Sequence, residues 1–167
     1  MFELKPITAD GIPGALQKAE RYRLLNEPSA AESICLDILE VDSENQQALV
    51  MLLLARTDQF AESAAAGALK AREVLPRLKD EYKRTYYDGV IHERRAKALL
   101  QSGRPGSPAM SYDAFRDAMA CYERAGQLGP AGNDEARLRW NTCARILNGT
   151  PHLAPRPEER FEPILED

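Results

Sequence analysis

The stretch AMACYERAGQLGP, residues 118–130, decides the fold of this chain. Ala118, Tyr122 and Ala125 stand at i, i+4 and i+7, which places them on one face of a helix. Two small residues on such a face let a neighbouring helix approach closely, and the aromatic ring fills the space beside them. Gly129-Pro130 closes the segment, since proline cannot continue a helix. The expectation is a helix seated tightly on a partner helix through a small–aromatic–small seam.

The same helical period recurs outward from this stretch. Residues 12–25, 28–41, 46–57, 80–101, 112–128 and 134–147 read as helices, and a further alanine-rich helix follows Phe60 and ends before Pro76. Within the second, Ala31, Ile34, Cys35, Ile38 and Val41 keep a 3.6 period. The third is apolar nearly all round, from Leu49 to Leu54, which places it between neighbours. Ser29-x-x-Glu32 and Ser43-x-x-Gln46 read as capping boxes. Residues 1–11 read as an extended lead-in. Residues 102–110, beginning SGRPGSP, read as a loop insertion. Residues 149–167 are proline-rich and read as a flexible tail.

Bulk composition excludes several classes. The chain has 167 residues, 44% hydrophobic and 29% charged, enough for one domain with a real core. A net charge of −4 argues against nucleic-acid binding, which wants a basic face. The longest apolar run, residues 48–55, is too short to span a bilayer. The N-terminus MFELKPITADGIPGAL has neither a basic start nor an apolar segment of the kind a signal peptide needs. Cys35, Cys121 and Cys143 are odd in number, widely spaced and without a C-x-x-C pair. They suggest neither a disulfide framework nor zinc, and a reducing cytoplasm is the expected location.

Self-comparison shows a repeat. Ala19-x-x-Tyr22 is followed by Ala31, Cys35, Ile38 and Ser43, and Ala65 stands 34 residues after Ala31. Ala118 lies 53 residues after Ala65, one such period plus 19 residues, assigned to a longer fifth helix and the loop after it. In these positions, and in Ala118, Tyr122, Ala125 and Pro130, the chain resembles a tetratricopeptide repeat protein over residues 12–148. Leu53 and Leu69 depart from the small and aromatic positions of the second unit. Ala15 and Leu49 stand at the signature tryptophan position of the first and second units.

The resemblance implies an all-α, right-handed superhelical array of antiparallel helix pairs, an α-solenoid of about seven helices. It also implies a non-enzymatic adaptor or scaffold that holds a protein or peptide segment in a concave groove. The first helix of each pair would line that groove: residues 12–25, 46–57 and 80–101. The third of these, containing EYKRTYYDGVIHERRAKALL, is basic within an acidic protein. Arg84, Tyr86, Tyr87, Val90, Arg94 and Arg95 are the groove candidates, and the register that pairs Gly89 with His92 would turn Tyr86, Val90 and Arg94 toward the groove. Arginine beside tyrosine is the composition of interface hot spots, and it would favour an acidic partner. The alternative remains open: a long helix needs a charged solvent face, and tyrosines fill cores with the hydroxyl at the rim.

A chaperone-binding subgroup of the family clamps a C-terminal carboxylate with lysine, asparagine and arginine from three lining helices. This chain lacks that set, with no asparagine before Asn26 in the first lining helix and none after Asn45 in the second. A structural role as a homodimer, or as a small secretion-type chaperone, is the second expectation. The segment around Phe161, Ile164 and Leu165, flanked by acidic residues, would suit the groove of the same chain or of a second copy. His92-Glu93 is not part of an H-E-x-x-H zinc motif, and Gly103-Arg104-Pro105-Gly106 is not a phosphate loop. No cofactor, metal or catalytic residue is expected. His92 reads as a rim or packing histidine and Trp140 as the plug of the last helix.

Overall fold

The structure is a computed structural model that describes residues 2–60 and 64–155. The described residues form seven α-helices and no strand: α1 (Ile12–Leu24), α2 (Pro28–Val41), α3 (Gln46–Asp58), α4 (Ala64–Arg72), α5 (Glu81–Ser102), α6 (Ser107–Leu128) and α7 (Glu135–Gly149). No helix among them is long and apolar enough to cross a membrane. Single 3-10 turns, Ala9–Gly11 and Leu75–Arg77, precede α1 and follow α4.

Each helix packs on the next in the chain, and α3 also touches α1 and α5. Side-chain contacts fix the directions. Ser111 and Tyr122 of α6 bond to Ala96 and Glu93 of α5, and the α6 end at Gly129 lies over Tyr82 near the start of α5. These two helices are therefore antiparallel. By contrast, α1, α3 and α5 run the same way side by side. Leu16 faces Val50 near their starts, whereas Arg23 bonds to Asp58 near their ends. Helix α3 thus lies among α1, α2, α4 and α5, as its all-round apolar character demands.

The seam at residues 118–125 is buried as its spacing predicts. Ala118 and Ala125 are fully enclosed and Tyr122 is 1% exposed. The core comprises two clusters, one among α1–α4 that also takes in Ile91 of α5 and one among α5–α7, with Leu54 and Tyr87 packed on both. Cys35 and Cys143 are buried as small apolar residues. Trp140 is partly buried against the second cluster.

Several local expectations are corrected. Helix α6 begins at Ser107, so the expected loop at 102–110 contracts to residues 103–106. Gly103 and Gly106 take positive φ of 62° and 79°, which is open to glycine at no steric cost. They turn the chain so that Pro108 falls in the first turn of α6, where its missing N–H is harmless. The extra length before Ala118 is therefore helix on both sides of a tight turn. Neither capping box forms. Asn45 caps α3 by accepting from the Ala48 N–H at 2.9 Å, while Gln46 reaches Glu44 and Arg77. Pro28 itself opens α2, and Glu32 instead accepts from Arg56 and Gln59. The tail is anchored at its start: Leu153 is 5% exposed in the second core cluster. Residues 156–167, with the Phe161–Ile164–Leu165 segment, lie outside the described residues, as do the side chains at Ala64 and Ala65.

Gly89 lets α5 and α6 approach. A Cβ there would stand 2.7 Å from Tyr122 Cε1 and 3.2 Å from Cys121 Cβ. The ring cannot retreat, because it is buried and its hydroxyl is bonded to Glu93. Gly126, in α6, has nothing within 4 Å of such an atom. Gly89→Ala is expected to lose about 1–3 kcal/mol, the clash outweighing helix propensity. Gly126→Ala is expected to gain about 0.5–1 kcal/mol. Chemical denaturation of the two variants beside wild type checks both signs.

Candidate binding face and its charge network

Helix α5 governs the polar structure of the molecule. At its start, Asp80 caps it by accepting from the Tyr82 N–H at 2.9 Å. At its centre lies Glu93, whose side chain is 1% exposed. Three donors surround this carboxylate. Lys97 of the same helix donates at 2.6 Å, the Tyr122 hydroxyl of α6 at 2.6 Å and Arg139 of α7 at 3.1 Å. Burial raises the Glu93 value, but the hydrogen bonds from Lys97 and Tyr122 and the charge of Arg139 outweigh it and hold the group below 4.5. The same contacts act in reverse on the partners. Burial and Glu93 push the Tyr122 hydroxyl up. Burial lowers Arg139, and Glu93 more than compensates, so it ends up raised.

A second ion cluster joins α1, α3 and α5. Arg23 Nε donates to Asp58 Oδ2 at 2.7 Å, and Arg94 pairs with Asp58 Oδ1. Burial lowers Arg94 to about 10, with repulsion from Arg23 and Arg139 adding to the effect. It remains charged at neutral pH. Together these groups line a cleft of about 470 Å³ that holds Arg23, Arg94, Lys97 and Arg139 against Glu20 and Asp58. An adjoining cleft of about 650 Å³, sharing Glu20, is lined by Leu16, Val50, Met51, Tyr87 and Lys83. One end of the α1–α3–α5 face is therefore basic and the other amphipathic.

The six residues expected to line one groove divide among several environments. Tyr87 and Arg94 line the two clefts. Val90 is fully buried in the second core cluster, which removes it from any partner's reach and corrects its place among the candidates. Tyr86 faces α6 and α7: it stacks on Tyr82 at 5.7 Å, packs 5.8 Å from Tyr122 and accepts from Arg139. Arg84 is committed to the turn before α5, donating to Leu78 O at 2.7 Å and Lys79 O at 3.0 Å. Arg95 lies in a separate cleft with Arg72, Ile91 and His92. The cleft-facing stripe of α5 is Lys83–Tyr87–Arg94–Ala98, which keeps Arg94 of the expected Tyr86–Val90–Arg94 stripe but has Tyr87 where Tyr86 and Val90 were expected. Arg23 and Arg139 were missed as groove residues, while Lys83 and Lys97, basic residues of the third expected lining helix, stood outside the six candidates. The sequence signal for one of them exists, since Leu16, Glu20 and Arg23 stand at i, i+4 and i+7 on α1.

No protein-family model matches this chain, and neither a curated protein nor a solved structure shows significant similarity to it.

Because the folded-state value of Glu93 lies below its unfolded value, its charge stabilises the fold at neutral pH. That contribution is lost as pH falls from 4.5 through the folded value. Glu93→Gln keeps the shape and removes the charge. It is expected to cost about 2–4 kcal/mol at pH 7, with the gap to wild type narrowing in acid below pH 4.5. Thermal melts of both proteins across that range check the sign.

Proposed function

We propose that this chain is a tetratricopeptide-like solenoid, its helix pairs stacked into a right-handed superhelix. We further propose that it serves as a non-enzymatic cytoplasmic adaptor or scaffold. Its ligand is an acidic peptide segment of a partner protein, laid along the face of α1, α3 and α5. The observation that carries this reading is the junction of two clefts on that face, one with four cations and the other with an apolar floor and Lys83 at its edge. Parallel neighbouring helices give a straight trough, and its size suits side chains of an extended segment.

The charge arrangement supports specificity more than raw affinity. Arg23 and Arg94 are held by Asp58, and Lys97 and Arg139 by Glu93. They offer an oriented positive field whose side chains are already ordered, so a ligand carboxylate need not fix them on binding. Apolar side chains of the segment would settle against Leu16, Val50 and Met51, and the acidic ones toward the arginines.

Two exposed residues in the clefts give opposite tests without touching the buried pairs. Lys83→Glu is expected to weaken binding of a fluorescent acidic, leucine-containing peptide at least about 5-fold, and Glu20→Lys to strengthen it, with both effects shrinking at high salt. Fluorescence anisotropy on the full chain reads both. Equal affinities in all three proteins, or tighter binding of a basic peptide of matched length, would remove this reading. A weak wild-type signal that rises when residues 156–167 are deleted would make those residues the occupant of the face.

A further inference from the structure

On the side of α5 turned toward α4 and α6, three side chains capable of ligating a metal come together. Asp88 and His92 stand at i, i+4 on α5, and Cys121 approaches from α6, with one ligand atom from each lying within 4.8 Å of the others. His92 Nε2 is 3.8 Å from Asp88 Oδ1, and Cys121 Sγ is 3.8 Å from Asp88 Oδ2. The other imidazole nitrogen, Nδ1, is buried and has no hydrogen-bond partner among the described residues. It faces Asp117 Oδ2 of α6 at 3.6 Å.

A positive charge already sits at this cluster. The Arg72 guanidinium donates to Asp88 Oδ1 at 3.0 Å and also meets His92 Nε2. Arg72 is the last residue of α4, and its side chain is 44% exposed. It can therefore swing into solvent without disturbing the core.

We propose that Asp88, His92 and Cys121 form a binding site for a zinc-class divalent cation, in which the ion displaces the Arg72 guanidinium. The donor set of one imidazole, one thiolate and one carboxylate suits a borderline-soft ion that accepts tetrahedral geometry. With Nε2 on the ion, Nδ1 keeps the proton and directs it at Asp117 Oδ2, a contact that closes from 3.6 Å to a hydrogen bond on binding. This is the carboxylate–histidine arrangement that fixes the tautomer and orients the ring. On binding, the Cys121 thiol proton passes to solvent and the thiolate takes its place on the ion. The site lies on a different face of α5 from the peptide clefts, so it stands or falls separately from the binding role proposed above.

Titration of the full-length, reduced protein with Co²⁺ and then Zn²⁺ tests the site. The thiols of Cys35 and Cys143 are fully buried, so a thiolate-to-cobalt absorption band reports Cys121. The expected result is one Co²⁺ per chain with that band, displaced by one equivalent of Zn²⁺. Cys121→Ser should abolish the band, His92→Ala should weaken Zn²⁺ binding about 100-fold, and Asp117→Asn about 10-fold. Arg72→Ala should tighten binding, a gain that a merely structural role for these residues does not produce. Far-UV circular dichroism confirms that each variant is folded. Absence of the band in wild type, its persistence in Cys121→Ser, or an unchanged Zn²⁺ affinity in folded His92→Ala would overturn the assignment.

Discussion

The buried carboxylate of Glu93 is the constraint around which the second half of the molecule is organised. A charge at 1% side-chain exposure survives only if it is compensated on several sides. Here the compensation comes from three helices: Lys97 on α5, Tyr122 on α6 and Arg139 on α7. Each bond also fixes something else. The bond to Tyr122 holds its ring against Gly89, so the closest approach of α5 and α6 and the ionic centre are one device. The bond to Arg139 holds α7 onto α5 and places a guanidinium at the basic end of the cleft. Apolar packing supplies the driving force for these contacts. The polar network selects one register among the packings that alanines would tolerate.

The basic character of the candidate face follows from this arrangement. Four cations line one cleft, yet each is bonded to a carboxylate: Arg23 and Arg94 to Asp58, Lys97 and Arg139 to Glu93. A free lysine loses side-chain entropy when it grips a ligand, whereas these groups have lost it on folding. Their residual field is smaller than four free charges would give, but its direction is set. Lys83, alone among the basic residues of α5 that line the clefts, is exposed to solvent there. It contributes unshielded charge at the amphipathic end.

Much of the architecture was legible because it depends on local periodicity. The helix bounds at Ile12 and Val41 fell where apolar spacing placed them, and α3 begins at Gln46 after the expected turn, although Asn45 caps it instead of the Ser43 box. The seam of Ala118, Tyr122 and Ala125 was readable for the same reason. What was not legible depended on partners distant in sequence. Ser29-x-x-Glu32 looks like a cap, but Glu32 is claimed by Arg56 and Gln59, 24 and 27 residues on. The early start of α6 was hidden because SGRPGSP has the composition of a loop. Two glycines with positive φ compress the turn to four residues, and Pro108 then opens a helix. At the candidate site, the basic content of α5 was visible in the sequence, but its rotation was not. Val90 and Tyr87 differ by three residues, and which of them faces the cleft depends on how Gly89 seats against Tyr122.

That rotation explains why one helix carries three different kinds of surface. Viewed around its axis, α5 presents Lys83, Tyr87 and Arg94 toward α1 and α3, and Tyr82, Tyr86 and Glu93 toward α6 and α7. Asp88, His92 and Arg95 lie on the third side, toward α4. A helix exposed on one side needs one polar stripe, and a helix enclosed by four neighbours needs apolar residues all round, as α3 has. Helix α5 is neither: it is nearly surrounded but keeps charged groups on every side. The enclosed ones take partners from neighbouring helices, Arg94 from Asp58 of α3, Glu93 from Tyr122 of α6 and Arg139 of α7, and Asp88 from Arg72 of α4, which ties the positions of α3, α4, α6 and α7 to a single 22-residue element. The polar demands of α5, more than its hydrophobicity, thereby specify how the helices around it are placed.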